Sequence, residues 1–155
     1  MMRALLALFI CITAAVGVAE ASGPASPDTA ESAAAASELA ARSGLPESEL
    51  KDFLADCNAN QQSMYFCAWR DQIVAQRVFE RLLADKMQSM PACKSALESR
   101  AADWARSRDR SCARSALKQW GDGSMRRTAQ IICVTGETAR MTKRIQRMRG
   151  CRPGR

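Results

Sequence analysis

The sequence predicts an all-α protein, a small antiparallel helical bundle stabilised by disulfides. Three observations point there. Apolar residues recur at three- and four-residue intervals through most of the chain, and no window alternates as a strand does. Glycine and proline interrupt that pattern at few places, which leaves long helices and short loops. Six of the seven cysteines, Cys57, Cys67, Cys93, Cys112, Cys133 and Cys151, follow a hydrophobic start, and an even number in a short exported chain reads as three disulfides.

Residues 1–21 have the three parts of a secretory signal. Arg3 gives a minimal positive start, residues 4–18 are an uncharged apolar run, and Ala19 and Ala21 are the small residues a signal peptidase reads. The run is shorter than the about 20 apolar residues that a spanning helix needs. Cleavage is therefore expected, with a periplasmic or secreted product. It would remove Cys11, which bulky Ile10 already marks as a poor lipidation site. Residues 22–45 read as a low-complexity acidic arm. There Asp28 can cap a helix with Glu31 at its N3 position and Gly44 at its end. The segment lacks a strong apolar face, so such a helix is expected to be marginal in water.

The disulfide domain spans 46–155. Pro46 suits the first turn of a short helix whose apolar side is Leu50, Phe53 and Leu54. A long helix is expected over 61–90, with Phe66, Trp69 and Ile73 early and Phe79, Leu82, Leu83, Met87 and Met90 later, broken by Pro91. A second follows over 93–120, with Leu97, Trp104 and Leu117 among its apolar residues. Gly121, Asp122, Gly123 and Ser124 interrupt it, and Ser124 can cap a third helix that ends near Arg149. On that helix Val134, Thr138, Met141, Ile145 and Met148 form one seam, while Arg140, Arg144 and Arg147 share a neighbouring face. In an up-down-up arrangement Cys93 and Cys151 lie at one end, which predicts their pairing. The other four cysteines are expected to pair as Cys67–Cys112 with Cys57–Cys133, or swapped as Cys57–Cys112 with Cys67–Cys133.

Charge divides the chain. Between Ser22 and Asp56 there are seven acids, Asp28, Glu31, Glu38, Glu47, Glu49, Asp52 and Asp56, against Arg42 and Lys51. From Cys57 onward bases dominate, and after Glu137 no acid follows. Such asymmetry implies an anionic partner, or an acidic arm folded back on a basic body. With no histidine there is no neutral-pH imidazole base and no His-containing metal site. The cysteines lack paired Cys-x-x-Cys spacing, Ser111 and Ser124 have no base to activate them, and Asp103 and Asp109 do not share a helix face. No catalytic residue, cofactor or metal is therefore expected. Nucleic acid is not an expected partner either, because the chain is read as exported and has few aromatics to stack bases.

Three blocks resemble a known family. They are Cys57, Gln62 and Cys67-Ala68; then Trp104-Ala105-Arg106-Ser107-Arg108-Asp109-Arg110-Ser111-Cys112; then Gly123-Ser124-Met125 with Cys133, Thr138 and Arg140. In this order they resemble the lysozyme-inhibitor LprI-type domain over 57–144. The chain has Ala75-Gln76-Arg77-Val78-Phe79 where that family has Leu-Asn-x-x-Tyr, and Cys93 and Cys151 look like an extra pair. The resemblance implies a small exported helical domain that binds and inhibits a lysozyme by occluding its surface. Lysozyme, or another envelope protein, is then the expected partner, with Asp28 to Asp56 as the segment that meets a basic enzyme. The alternative is an envelope-associated structural protein that binds anionic surface polymers or lipid through its basic last helix. Candidate binding residues are Trp104, Arg108, Asp109, Arg140, Arg144 and Arg147. For the first three the sequence favours a structural role, with Asp109 bonding a neighbouring helix and Arg108 laying its stem on aromatic surface.

Overall fold

A computed structural model describes residues 27–150, and the regular elements among them are all helical: five α-helices and one 3-10 turn. Helix α1 (Pro27–Ser43) is the acidic arm. It is more than a marginal helix, because α3 supplies the apolar surface it lacks in isolation. Ala35 and Leu39, one turn apart, are both fully buried, and burial of a leucine side chain is worth about 1.5–3 kcal/mol. Gly44 ends α1 in the left-handed region at φ 74°, where its N–H donates to the Ala40 carbonyl at 3.0 Å. Helix α2 (Glu47–Ala55) follows, with Pro46 as its N-cap and Leu50 1% exposed.

Helix α3 (Gln61–Ser89) is the spine of the molecule. Asn60 caps it by accepting from the Ser63 N–H at 2.9 Å. Its first half carries an aromatic cluster in which Phe66 stacks on Phe53 of α2 at 5.1 Å, with Tyr65 and Trp69 alongside. With Ala35, Leu39, Leu50 and Ile73, Phe66 forms one contiguous core. The 3-10 turn Pro91–Cys93 reverses the chain into α4 (Lys94–Trp120). Gly121, at φ 52°, closes α4 by donating to the Leu117 carbonyl at 2.8 Å. A side chain at Gly123 would meet the Trp120 carbonyl oxygen at 2.9 Å, so the loop stays tight only with glycine there. Helix α5 (Arg126–Gln146) returns antiparallel to α4 and packs chiefly on α3, with α4 resting mainly on α5. Its predicted seam is the buried one: Val134, Thr138 and Ile145 are covered, and Met141 and Met148 are half-buried. No helix among the described residues is long and apolar enough to cross a membrane.

Two disulfides differ from the pairings expected of Cys57, Cys67, Cys112 and Cys133. Cys57 bonds Cys67, and Cys112 bonds Cys133, with Cα atoms 5.7 and 5.6 Å apart. Both bridges are local. Cys57 lies in the short α2–α3 loop and is folded back on the opening turns of α3. Cys112 and Cys133 each lie about two turns from the Gly121 loop, so the α4–α5 hairpin brings them level. Cys93 is also disulfide-bonded; Cys151, its expected partner, lies outside the described residues, as does the predicted signal. Two smaller expectations also change. Ser124 does not cap α5, whose N-cap is Met125 with no side-chain bond; its hydroxyl donates to Gln61 Oε1 at 2.8 Å instead. Leu117 is 51% exposed, because Ala116 takes the inward position on the last turns of α4.

Candidate functional site

The candidate residues fall into two groups with opposite surroundings. The first centres on Arg108 of α4, whose side chain is only 8% exposed. One nitrogen, Nη1, donates to Thr138 Oγ1 of α5 at 2.8 Å and to Gln76 Oε1 of α3 at 3.2 Å. Its Nε donates to Asp109 Oδ1 at 2.8 Å. The guanidinium carbon stands 4.9 Å from the Trp104 ring centroid, and that ring packs on Phe79 of α3 at 5.1 Å. Thr138 is 1% exposed and in turn donates to the Val134 carbonyl at 2.7 Å. Arg108 therefore ties three helices together, and its charge is paired with Asp109 on its own helix.

Within this stretch Arg108 and Asp109 exchange the contacts expected of them. Arg108 reaches the neighbouring helices, whereas Asp109 is 56% exposed and bonds only Arg108 among the described residues. Trp104 is half-buried, with Phe79 tilted against its ring and Arg108 over it. Sequence reasoning named Gln76 only within a stretch that departs from the family pattern and gave it no role. It placed Thr138 on the apolar seam without asking why a hydroxyl stands there; a lone polar residue on such a seam signals a buried bonding partner.

The acidic arm is also engaged internally. Arg77 of α3 donates to Glu38 Oε2 through Nε at 2.7 Å and Nη2 at 2.6 Å. Arg81 reaches Glu31 Oε2 at 2.9 Å, while Arg77 lies 3.8 Å from the other Glu31 oxygen. Glu38 also pairs with Arg42. These contacts realise the reading in which the arm folds back on the basic body. On α2, by contrast, Glu47, Glu49 and Asp52 remain exposed.

The second group is the carboxy-terminal part of α5. Arg140 is paired with Glu137 one turn earlier, so it adds little net charge to the face. That bond holds the Glu137 carboxyl below the usual carboxylate range against an opposing desolvation, with further attraction from Arg140 and Arg144. Lys143, Arg144, Arg147 and Arg149 are all exposed, and none makes a side-chain hydrogen bond or ion pair among the described residues. Of the three arginines expected on this face, Arg144 and Arg147 are available and Arg140 is neutralised.

No group of three or more His, Cys, Asp or Glu side chains among the described residues is arranged to hold a metal ion. Compared with protein-family models, with curated proteins and with solved structures, the chain matches none.

Proposed function

We propose that the protein is an exported, non-catalytic binding module that rests on an anionic envelope polymer or lipid surface through the end of α5. The observation that carries this reading is the run Lys143, Arg144, Arg147 and Arg149, exposed and without a side-chain hydrogen bond or ion pair among the described residues, in contrast to Arg77, Arg81 and Arg108, which pair with Glu38, Glu31 and Asp109. Cations beside an anionic surface each contribute about 1 kcal/mol, and the attraction weakens with salt. Disulfides within the helical body suit an oxidising compartment. Co-sedimentation with envelope fractions tests the proposal. The oxidised protein should sediment at low salt and be released at high salt, and neutralising Arg144 and Arg147 together should release it. Full retention of that variant would overturn the reading.

A second reading, inhibition of a lysozyme, keeps support from the resemblance to LprI-type domains and from the exposed acids of α2. Its surface would be Glu47, Glu49 and Asp52, because Glu31 and Glu38 are already engaged with Arg81 and Arg77. Deleting the arm is a poor test, since Ala35, Leu39 and Leu50 belong to the core. The better one is lysis of a bacterial suspension by lysozyme in the presence of the protein and of a variant with those three acids neutralised. Inhibition lost only in the variant supports this reading, and absence of inhibition by either removes it.

A further inference from the structure

At the end of the bundle where α3, α4 and α5 converge there is a groove of ≈ 250 Å³. Its walls are apolar. Leu83 comes from α3, Leu97 and Ala101 from α4, and Ile145 with Met141 and Met148 from α5 and its exit. Arg144 stands on the rim, and Arg100 lines the α4 side. Methionines on a wall adapt to ligands of irregular shape. The arrangement is that of an amphiphile site: apolar surface with a guanidinium at the mouth. Arg144 belongs to the acid-free stretch with Lys143, Arg147 and Arg149, which puts positive charge on the α5 side of the groove.

We infer that this groove binds a single-chain carboxylate amphiphile, a fatty acid anion. Its chain would lie against Leu83, Leu97 and Ile145, and its carboxylate would face Arg144, whose planar fork matches a carboxylate. Size selects the single chain. The volume falls below the about 300–1,000 Å³ of sites that enclose drug-sized ligands, so a two-chain lipid would leave one chain in water. Charge selects the head group, because an uncharged amphiphile of the same length leaves Arg144 without its counter-ion. The inference extends the surface reading to a soluble ligand and does not depend on it, since it needs no polymer or bilayer.

The experiment is titration of the oxidised protein with dodecanoate below its micelle concentration, followed by calorimetry, with no surface present. Dodecyl maltoside supplies the same chain without charge, and acetate supplies the charge without a chain. Saturable one-to-one binding of dodecanoate is expected, at least tenfold weaker binding of dodecyl maltoside, and none of acetate. Ala101→Phe, which fills the groove, should weaken dodecanoate binding tenfold or more. Arg144→Gln, an exposed change that leaves the fold intact, should weaken it about five- to tenfold, the loss of one charge-assisted contact. Arg114→Gln, a change to an exposed cation outside the groove, should leave binding unaltered. Equal affinity for dodecanoate and dodecyl maltoside, or unchanged binding in Arg144→Gln, would overturn the inference. A failure here with salt-sensitive envelope binding intact would remove the groove and leave the surface reading standing; the reverse result would do the opposite.

Discussion

The arginines at the middle of the bundle and the cations at the end of α5 have similar chemistry and opposite fates. Arg108, Arg77 and Arg81 are spent on holding helices to one another, through Thr138, Gln76, Glu38 and Glu31. Lys143, Arg144, Arg147 and Arg149 make no side-chain hydrogen bond or ion pair among the described residues. The difference comes from neighbours. In the middle, α1 and α5 present acceptors within reach of α3 and α4. Beyond Glu137 the sequence supplies no acid. Net charge alone therefore says little about which cations a partner meets.

The sharpest break of this contrast is Arg108→Ala. It removes three hydrogen bonds to the guanidinium and its contact with Trp104, and should destabilise by about 2–4 kcal/mol, read by urea unfolding. Loss under 1 kcal/mol would mean that Arg108 is closer to the outer cations than its burial suggests. Thr138→Val keeps the volume of the seam but strands the Arg108 donor, and should cost about 1.5–3 kcal/mol. Combined with Arg108→Ala it should be clearly less than additive, because both changes remove one bond. Glu38→Gln weakens the clasp between α1 and α3. We expect about 0.5–1 kcal/mol in global stability, given the partial exposure of the pair, and faster amide exchange confined to α1. Arg147→Gln should stay within about 0.5 kcal/mol of the parent while making envelope retention more salt-sensitive, the converse of Arg108→Ala.

The smallest effect concerns pH. The hydrogen bond from Arg140 lowers the carboxyl of Glu137 in the folded protein. Its contribution is therefore complete above the ordinary carboxylate range and fades as pH falls through the depressed value. Glu137→Gln should leave stability near neutrality almost unchanged and slightly flatten its decline in acid. A larger decline in the variant than in the parent would reverse the sign of this argument.

The helical periodicity was legible because each seam needs one register: Val134, Thr138 and Ile145 fall inward as their spacing requires. The helix stops at Gly44 and Gly121 were legible for a similar reason, since both adopt positive φ that side chains disfavour. The packing of α1 was not. Its two inward residues, Ala35 and Leu39, are too few to make a periodic signal, and their value depends on a groove in α3 that sequence does not display. The pairing of Cys57, Cys67, Cys112 and Cys133 failed on scale. For those four the expectation was bridges between distant helices, whereas hairpin registry and the α2–α3 loop place Cys112 beside Cys133 and Cys57 beside Cys67. The Arg108 cluster was half legible: its aromatic neighbour was visible four residues away, but Gln76 and Thr138 come from other helices.

The rod formed by α4 also sets an order on oxidation. A chain oxidised strictly as it emerges would join each cysteine to the next one available. After Cys57 and Cys67 have met, that rule would join Cys93 to Cys112, a partner that Cys112 does not have here. Once α4 is helical the two sulfurs stand at opposite ends of a segment ~28 Å long at about 1.5 Å per residue, well beyond the about 7 Å between Cα atoms that a bridge tolerates. Early helix formation would then act as a spacer that blocks the vectorial mispairing and keeps Cys112 waiting until the second arm of the hairpin delivers Cys133.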